Sequence, residues 1–241
     1  MSLADEMRPI ESGWVVRTKS LPLVWTLNQL RITESATFAD ALALAEEHQA
    51  YLPFRHVVVE GGANSRLLED PFRAAGWKVD CEILMALTKG PDREVDTRAV
   101  IELSEEQMLT LMRCWLIEER PDTSAEGLDQ VDEYNRREGR LWRELRFGLL
   151  DGDGVPAAIT KLRSDGTAAW VEDVYTVPGA RGRGYARMLV SHAARLARSS
   201  GYELTFIIAD DNDWPKHLYA RIGFRPIGMI RAFHRNLELI S

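Results

Sequence analysis

A short run of arginine and glycine residues offers the clearest chemistry in this sequence. The hexapeptide Arg181-Gly182-Arg183-Gly184-Tyr185-Ala186 follows an extended segment and opens a strongly helical one, so it is predicted to lie where a strand turns into a helix. Glycines let a backbone approach an anion closely, and the first turn of a helix adds free N–H groups and the positive end of its dipole. The hexapeptide is therefore predicted to bind a phosphate or pyrophosphate, with its two arginines supplying positive charge.

Two common phosphate-binding loops do not fit these residues. A P-loop needs a lysine after its last glycine, and the chain has no lysine between Lys161 and Lys216. The dinucleotide-binding fingerprint needs a small residue at position 187, where Arg187 stands. Both interpretations fail.

The hexapeptide resembles the Arg/Gln-x-x-Gly-x-Gly/Ala loop of the GNAT N-acetyltransferases, a family that binds acetyl-CoA. A second segment strengthens the resemblance, because Asn212, Leu218-Tyr219 and Gly223-Phe224 match the family's Asn-x-x-Ala-x-x-Leu-Tyr…Gly-Phe pattern. Pro215 replaces the usual alanine. This departure is mild, since a proline in the first helical turn gives up only an N–H that lacks a partner anyway.

The order of the predicted elements after residue 95 fits the same family. Ser104, with Glu106 and Gln107 behind it, is predicted to cap the first helix. The resemblance implies an α/β fold of the GNAT acyl-CoA N-acyltransferase type over residues 95–241, with a mixed, mostly antiparallel sheet flanked by helices. The predicted elements are strands 97–103, 142–150, 155–162, 168–177, 204–209 and 228–239 and helices 104–118, 128–141, 185–199 and 214–222.

Acetyl transfer to an amine needs a base, because an alkylammonium with a pKa of about 10.4 is almost entirely protonated at neutral pH. Glu172 and Asp173 are adjacent on the strand that leads into the glycine loop. Successive side chains of a strand point to opposite faces, so only one of the two is expected to face the substrate. The resemblance to polyamine acetyltransferases implies that Glu172 is the base, acting through water, with Asp173 as the alternative. Pairing with an arginine or binding of a cationic substrate stays open for either carboxylate.

The resemblance also implies which residues contact acetyl-CoA and its leaving group. Tyr219 matches the family tyrosine near the CoA sulfur, where a phenol can protonate a thiolate; the alternative is an ordinary packed tyrosine. Asn212 would contact the cofactor or cap a helix. The backbone of Val174, Tyr175 and Thr176 would line the pantetheine arm, and the pyrophosphate would lie against Arg181, Gly182, Arg183, Gly184, Tyr185 and Ala186.

The class of the acceptor is predicted from charge. Residues 118–133 contain seven acids and one base, Arg120, and in this fold the connection between the first two helices commonly forms part of the acceptor site. An acidic rim would attract a small cationic amine, whereas the alternative is a solvated helical surface. A polyamine, an aminoglycoside-like compound, an amino acid derivative and a peptide amine all stay open as acceptors.

Residues 1–90 are predicted to form a smaller, partial GNAT-like domain. The segment Gly61-Gly62-Ala63-Asn64 followed by Gly76-Trp77 echoes the second motif. No Arg-x-x-Gly-x-Gly loop stands between Ile32 and Ala36, so this degenerate half would lack a cofactor site and serve packing, homodimer formation or the acceptor pocket. The polar run 89–94 is the predicted boundary. The predicted elements are strands 23–32, 55–60 and 78–88 and helices 36–50 and 64–75.

Composition limits the remaining function classes. The 241 residues carry a net charge of −7, which gives no general attraction to nucleic acid or to an anionic membrane. Cys81, Cys114, His192 and His217 show no metal-ligand spacing, so no metal site is predicted. The absence of a long apolar run or leader indicates a cytoplasmic protein. The predicted function is acetyl transfer from acetyl-CoA to an amine by direct attack in a ternary complex; the alternative is a non-catalytic acetyl-CoA sensor or docking protein.

Overall fold

The computed structural model describes residues 3–33, 36–60 and 63–237, which divide into two compact units. The first unit takes in the chain up to Ile83, Asp210–Asn212 and the residues from Gly228 onward. The second consists of Leu84–Ala209 and Asp213–Ile227. These units do not coincide with the predicted domains, residues 1–90 and 95–241, and the division into those two domains stays a prediction.

The first unit is an α/β layer in which most neighbouring strands pair antiparallel. β1 pairs with β2 and β2 with β3 antiparallel, β3 pairs with β4 parallel, and β4 pairs antiparallel with the last part of β11. Leu30, Val57, Phe72 and Phe233 are completely buried in its core. Its elements are β1 (Glu6–Ile10), β2 (Gly13–Arg17), β3 (Leu30–Ile32), α1 (Phe38–Gln49), β4 (Phe54–Glu60), α2 (Ala63–Leu67), α3 (Glu69–Ala74) and the first part of β5 (Lys78–Leu87).

Three features of this unit differ from the prediction. The β1–β2 hairpin was not predicted, and the predicted strand 23–32 begins instead with a short 3-10 helix, Trp25–Leu27, so that only Leu30–Ile32 is extended. The predicted helix 64–75 is interrupted at Leu68, because the ring of Pro71 opposes a helical carbonyl one turn earlier. Gly61 and Gly62 of the predicted echo lie outside the described residues.

The second unit has its strands in the order β10-β9-β8-β7-β6. β10 and β9 pair parallel and the other pairs are antiparallel, so the predicted mixed sheet flanked by helices is confirmed. The elements are β6 (Ile101–Glu102), α4 (Glu105–Glu119), α5 (Ala125–Leu141), β7 (Arg143–Leu150), β8 (Pro156–Ser164), β9 (Ala168–Thr176), α6 (Tyr185–Ser200), β10 (Leu204–Asp210), α7 (Pro215–Ile222) and β11 (Phe224–Asn236).

Helices cover both faces of this sheet. Met108 and Leu111 of α4 pack with Ile159 and Tyr175. The His192 ring of α6 lies 4.7 Å from the ring of Phe147. Phe147 pairs with Thr160, which follows Ile159 in β8 and therefore points to the opposite face of the sheet. Helices α4 and α6 therefore lie on opposite faces. Along the described parts of the chain, no helix has the length and apolarity needed to cross a bilayer.

The start of α4 was predicted more accurately than the length of the strand before it. Ser104 and Gln107 form the predicted capping box at the start of α4, since this motif depends only on neighbouring residues. The predicted strand 97–103 is shorter, because only Ile101 and Glu102 pair with β7.

The polar run around residue 90 is bonded to the end of α7. The backbone N–H groups of Thr88 and Lys89 donate to the carbonyl of Gly223, and the N–H of Asp92 donates to the carbonyl of Arg221. Gly223 has a φ of 116°, and a Cβ at this position would lie 2.2 Å from the Lys89 carbonyl oxygen. Only glycine permits this close approach.

Candidate active site

The glycine loop has the backbone of an anion-binding site. Gly182 and Gly184 have φ values of 78° and 80°, and Gly184 is the N-cap of α6. The first N–H groups of a helix have no partner within it and are aligned with the positive end of its dipole. A Cβ added at either glycine would meet no atom within 4 Å, so the surface of the loop is open. These residues fit a pyrophosphate.

A β-bulge changes the direction of the side chains in the middle of β9. Lys161 of β8 pairs with Glu172, and Ile159 pairs with Tyr175. Two residues of β9, Asp173 and Val174, therefore lie opposite one residue of β8. Asp173 adopts the left-handed region, with a φ of 53°. The bulge brings Glu172 and Tyr175 to the same face of the sheet.

Both carboxylates of the predicted Glu-Asp pair bind buried cations on that face. Asp173 Oδ2 lies 2.7 Å from Lys161 Nζ, and Glu172 Oε1 lies 2.6 Å from Arg163 Nη1. Lys161 and Arg163 are two residues apart on β8 and share a face. The expectation that only one of the two carboxylates points to this side is therefore wrong, because regular alternation is broken at the bulge.

Arg163 connects three elements of the fold. Besides Glu172, its guanidinium contacts Glu138 of α5 and Glu144 of β7, each at 2.7 Å. Glu144 also pairs with Arg146. Four carboxylates and three cations meet in this network, so one negative charge is left uncompensated among them when Glu172 is ionised.

Glu172 is placed to act as a base. Burial, reinforced by the charge of Asp173, raises its pKa to about 8 against the opposing effect of Arg163. Its side chain keeps 27% of its surface exposed although Oε1 is buried. The carboxyl group is therefore both partly desolvated and reachable by water.

Arg181 of the glycine loop is tied to α4. Its Nε donates to the carbonyl of Thr176, and its Nη2 lies 2.5 Å from Oε1 of Glu118. The hydroxyl of Tyr175 donates to the other oxygen of Glu118 over 2.9 Å. Half of the Arg181 side chain stays exposed despite these contacts. Glu118, which was assigned to the acidic rim, thus joins two of the predicted cofactor-binding residues, Arg181 and Tyr175.

The ladder between β9 and β10 stops before the bulge. Its parallel register runs from Ala168 and Leu204 to Val171 and Ile207. The part of β9 beyond Glu172, which includes Val174–Thr176, lies past this register. Backbone groups there on the side of β10 are available to an extended ligand.

Tyr219 is buried on α7, with 6% of its surface exposed, and its ring packs edge-on against Phe224 at 6.4 Å. Burial raises the pKa of Tyr219 well above its ordinary value, with Asp213 contributing. The phenol therefore keeps its proton at neutral pH and can only donate it.

Arg183, Tyr185 and Asn212 have local partners. Arg183 donates to the Gly179 carbonyl and the Tyr185 hydroxyl to the Leu150 carbonyl. The backbone N–H of Asn212, which belongs to the first compact unit, donates to Asp210. The contacts of these residues with a cofactor stay a prediction.

Folding pairs four of the seven acids of the predicted acidic rim with three arginines. Arg113 binds Asp129 and Asp132, Arg137 binds Glu133, and Arg181 binds Glu118. The charge summed along residues 118–133 therefore overstates the negative potential of this surface. In the parts of the chain that the structure describes, no group of three or more histidine, cysteine or acidic side chains could hold a metal ion.

Half-buried aromatic rings continue the sheet face beyond Glu172. The ring of Trp170, two residues before Glu172 and on the same side of β9, stacks on Phe206 of β10 at 5.9 Å. Trp142 packs edge-on against Trp170 at 5.2 Å. Ile208 follows Phe206 on this side with 41% of its surface exposed. An apolar surface thus adjoins the charged network.

The buried cations were missed in the sequence. Lys161 and Arg163 are 2% and 1% exposed in a strand whose other residues are also almost entirely buried. Two charges separated by one residue in an apolar strand were the available signal, because a buried charge needs a partner.

A sequence model of the acetyltransferase (GNAT) family matches residues 107–224, which include the glycine loop, both carboxylates of β9 and Tyr219. The part of the chain from residue 107 to residue 224 belongs to the GNAT family. Streptothricin acetyltransferase from Streptomyces lavendulae is 33% identical over 86 residues, which cover 35% of this chain and 46% of the relative. The match thus spans less than half the length of this curated relative.

Two solved structures resemble this chain over nearly its whole length. A conserved protein of unknown function from Staphylococcus epidermidis ATCC 12228 has a TM-score of 0.72 at 14% identity, with 97% of this chain and 94% of the other covered. A GCN5-related N-acetyltransferase from Kribbella flavida has a TM-score of 0.57 at 16% identity, with 96% and 90% covered. At these identities the likeness concerns the fold, and the predicted GNAT fold is confirmed.

Proposed function

We propose that the protein is an acetyl-CoA-dependent N-acetyltransferase. The observation that carries this proposal is the pair of left-handed glycines, Gly182 and Gly184, at the N-terminus of α6, which fits a pyrophosphate. Bound acetyl-CoA supplies an acetyl thioester. Arg181, Arg183 and the N–H groups of Tyr185 and Ala186 would hold the diphosphate, and the backbone of Val174–Thr176 would receive the pantetheine arm. Asn212 is proposed as a further cofactor contact.

Glu172 is the proposed general base. The acceptor must lose a proton before its nitrogen can attack, and a carboxylate with a pKa of about 8 is better matched to an ammonium than an ordinary glutamate. The exposed part of Glu172 allows the proton to move directly or through one water. The amine nitrogen then forms a bond to the acetyl carbonyl carbon in a ternary complex.

Tyr219 is the proposed proton donor. As the carbon–sulfur bond breaks, the departing thiolate takes the phenolic proton, so that CoA leaves as a thiol, and the proton that the nitrogen loses in becoming an amide restores the phenol. The raised pKa of Tyr219 keeps this proton in place before the reaction. The base and the acid thus act on opposite ends of the same transfer.

A small cationic amine is the proposed acceptor. The network around Arg163 has one uncompensated negative charge when Glu172 is ionised, and the adjoining rings of Trp170 and Phe206 offer π-faces, which attract ammonium groups. This support comes from the sheet face next to Glu172 rather than from residues 118–133, whose charge is partly neutralised. The name of the Streptomyces relative supports acetyl transfer, and streptothricin belongs in the acceptor panel for that reason.

The first 90 residues are proposed to descend from a second, degenerate GNAT domain. The Kribbella structure covers 96% of this chain, which supports a related fold in both halves. α1 begins at a capping box of Thr37 and Asp40 instead of a glycine loop. This half would therefore serve packing, homodimer formation or the acceptor site.

The test is release of CoA thiol from acetyl-CoA with polyamines, aminoglycosides, streptothricin, amino acids and short peptides as acceptors. Release with one amine class and formation of the acetylated amine by mass spectrometry are expected. Gly184→Val, which places a branched side chain at a φ of 80°, should abolish acetyl-CoA binding in calorimetry. Binding of acetyl-CoA without turnover of any acceptor would instead favour the sensor.

A further inference from the structure

Asp173 occupies a backbone conformation that needs support. Among the described residues it is the one non-glycine residue with a positive φ, 53°. The left-handed region crowds a Cβ against the following carbonyl, and although aspartate tolerates it better than most residues, such a conformation persists only where the surroundings hold it. The same residue creates the bulge that sets the direction of Glu172 and Tyr175.

The residues opposite the bulge supply this support. Lys161 Nζ lies 2.7 Å from Asp173 Oδ2 and donates to Asn135 Oδ1 over 3.0 Å. The Thr160 hydroxyl donates to the Glu172 carbonyl over 2.9 Å. Lys161 therefore fixes the left-handed residue from the neighbouring strand, with its own position set by α5.

Burial of the Lys161 ammonium group would destabilise the fold if it did not have this role. Its side chain is 2% exposed, and removal of an ammonium group from water is repaid only by well-placed partners. An apolar side chain at this position of a buried strand would avoid the penalty. Lys161 is adjacent in β8 to the residue that lies opposite the bulge, and an apolar side chain at its position would have no group that binds the Asp173 carboxylate.

We propose that Lys161 is a positioning residue that acts through Asp173 to maintain the β9 bulge. It keeps Glu172 on the face of the charged network and presents Val174–Thr176 past the end of the β9–β10 ladder. Asp173 is then a structural partner of Lys161, and Glu172 is the base. The effect on turnover rests on the proposed function; the effect on the backbone of β9 does not.

The experiment compares Lys161→Met, Asp173→Ala, Asp173→Gly and the double variant Lys161→Met/Asp173→Gly. Glycine adopts a positive φ without help, and the double variant leaves no unpaired buried charge. Arg98→Met serves as the control, since it removes a cation from an exposed ion pair with Asp96. Each variant is measured for amide hydrogen exchange in β9 and for kcat and KM at a temperature where it is folded by circular dichroism.

Lys161→Met and Asp173→Ala should speed exchange of the Glu172–Thr176 amides by about tenfold or more and lower kcat by about 100-fold, as expected for a misplaced base. The double variant should restore slow exchange and bring kcat to within about tenfold of the wild type. Arg98→Met should change neither quantity. If Lys161→Met does not fold, Asp173→Gly must still have a higher kcat than Asp173→Ala. Both variants leave Lys161 without its carboxylate partner, and they differ only in the backbone preference of residue 173.

Two results would overturn the inference. A Lys161→Met variant with a lower Tm but unchanged exchange in β9 and unchanged kcat would show that Lys161 only stabilises the fold. A double variant as inactive as Asp173→Ala, with slow exchange restored, would make Asp173 itself the base. If the wild type acetylates no amine, the proposed function fails while the exchange data still decide the role of Lys161.

Discussion

The guanidinium of Arg181 lies 2.5 Å from the carboxylate of Glu118, so the glycine loop and the end of α4 share an ion pair. The Arg181 and Glu118 side chains are 50% and 35% exposed, and ion pairs so open to solvent contribute little to stability. An incoming diphosphate would compete with Glu118 for Arg181. We therefore expect Glu118 to oppose acetyl-CoA binding weakly.

Glu118→Gln should tighten acetyl-CoA binding by up to about fivefold, since Arg181 no longer has to leave a charged partner. Calorimetry at low and moderate salt measures the change, which salt should reduce. Glu119→Gln is the matched control, because Glu119 accepts a hydrogen bond from Trp115 instead of pairing with the loop. Weaker binding in Glu118→Gln would instead mean that Glu118 supports the site through Tyr175.

The rate should depend on the ionisation of Glu172. A base must be deprotonated, so kcat/KM should rise with pH through an apparent pKa of about 8. In Glu172→Gln this rise should disappear and kcat should fall by about 10²- to 10⁴-fold. Initial rates over a pH series check both statements; an unchanged rise in the variant would assign it to another group or to the amine.

The stability of the protein should also depend on the ionisation of Glu172. Its pKa is raised in the folded protein from an ordinary value of 4.5 to about 8, so the stabilising effect of the protonated form is present at low pH and lost as pH rises toward 8. Urea unfolding at several pH values should show a steeper loss of stability for the wild type than for Glu172→Gln over this range. Parallel curves would mean that Glu172 is ionised throughout.

Removal of the Tyr219 hydroxyl should affect chemistry more than binding. Tyr219→Phe keeps the ring that packs on Phe224 and removes only the proton donor. We expect kcat to fall by about 10²-fold or more with acetyl-CoA affinity nearly unchanged, as measured by stopped assays and calorimetry. A wild-type kcat in Tyr219→Phe would make Tyr219 a packing residue.

The aromatic face next to Glu172 should determine acceptor affinity. Trp170→Ala should raise the KM of a cationic amine by about tenfold, the equivalent of a partly desolvated cation–π contact, with a smaller effect on kcat. Trp14→Ala removes an exposed tryptophan of the first unit and controls for the loss of a large ring. An unchanged KM in Trp170→Ala would remove the aromatic face from the acceptor site.

Local chemistry explains which parts of this fold could be predicted. The glycine loop, the capping box of Ser104 and Gln107 and the helix that ends at Gly201 each depend on neighbouring residues, and the structure has all of them. The bulge at Asp173 depends on Lys161 and Thr160 of another strand. From the sequence, the side chains of β9 could only be assumed to alternate between the two faces of the sheet. This assumption placed Asp173 on the wrong face.

The charges of the site show the same limit. The seven acids of residues 118–133 were counted along the chain, whereas Arg113, Arg137 and Arg181 reach them only after folding. Conversely, Arg163 meets Glu138, Glu144 and Glu172 from three different elements. Proximity of this kind is a property of the packed sheet and helix, which a linear pattern does not contain.

The backbone bonds between residues 88–92 and the end of α7 change how this polar run should be treated in the laboratory. Its composition suggests a linker that proteases would cut, but cleavage requires backbone that can leave its hydrogen bonds, and here Gly223 and Arg221 hold it. A shortened chain that starts after Glu94 would lose these bonds and the partner of Arg187, Asp92. It would loosen the helix that carries Tyr219, so the smallest active fragment should begin no later than the second half of β5.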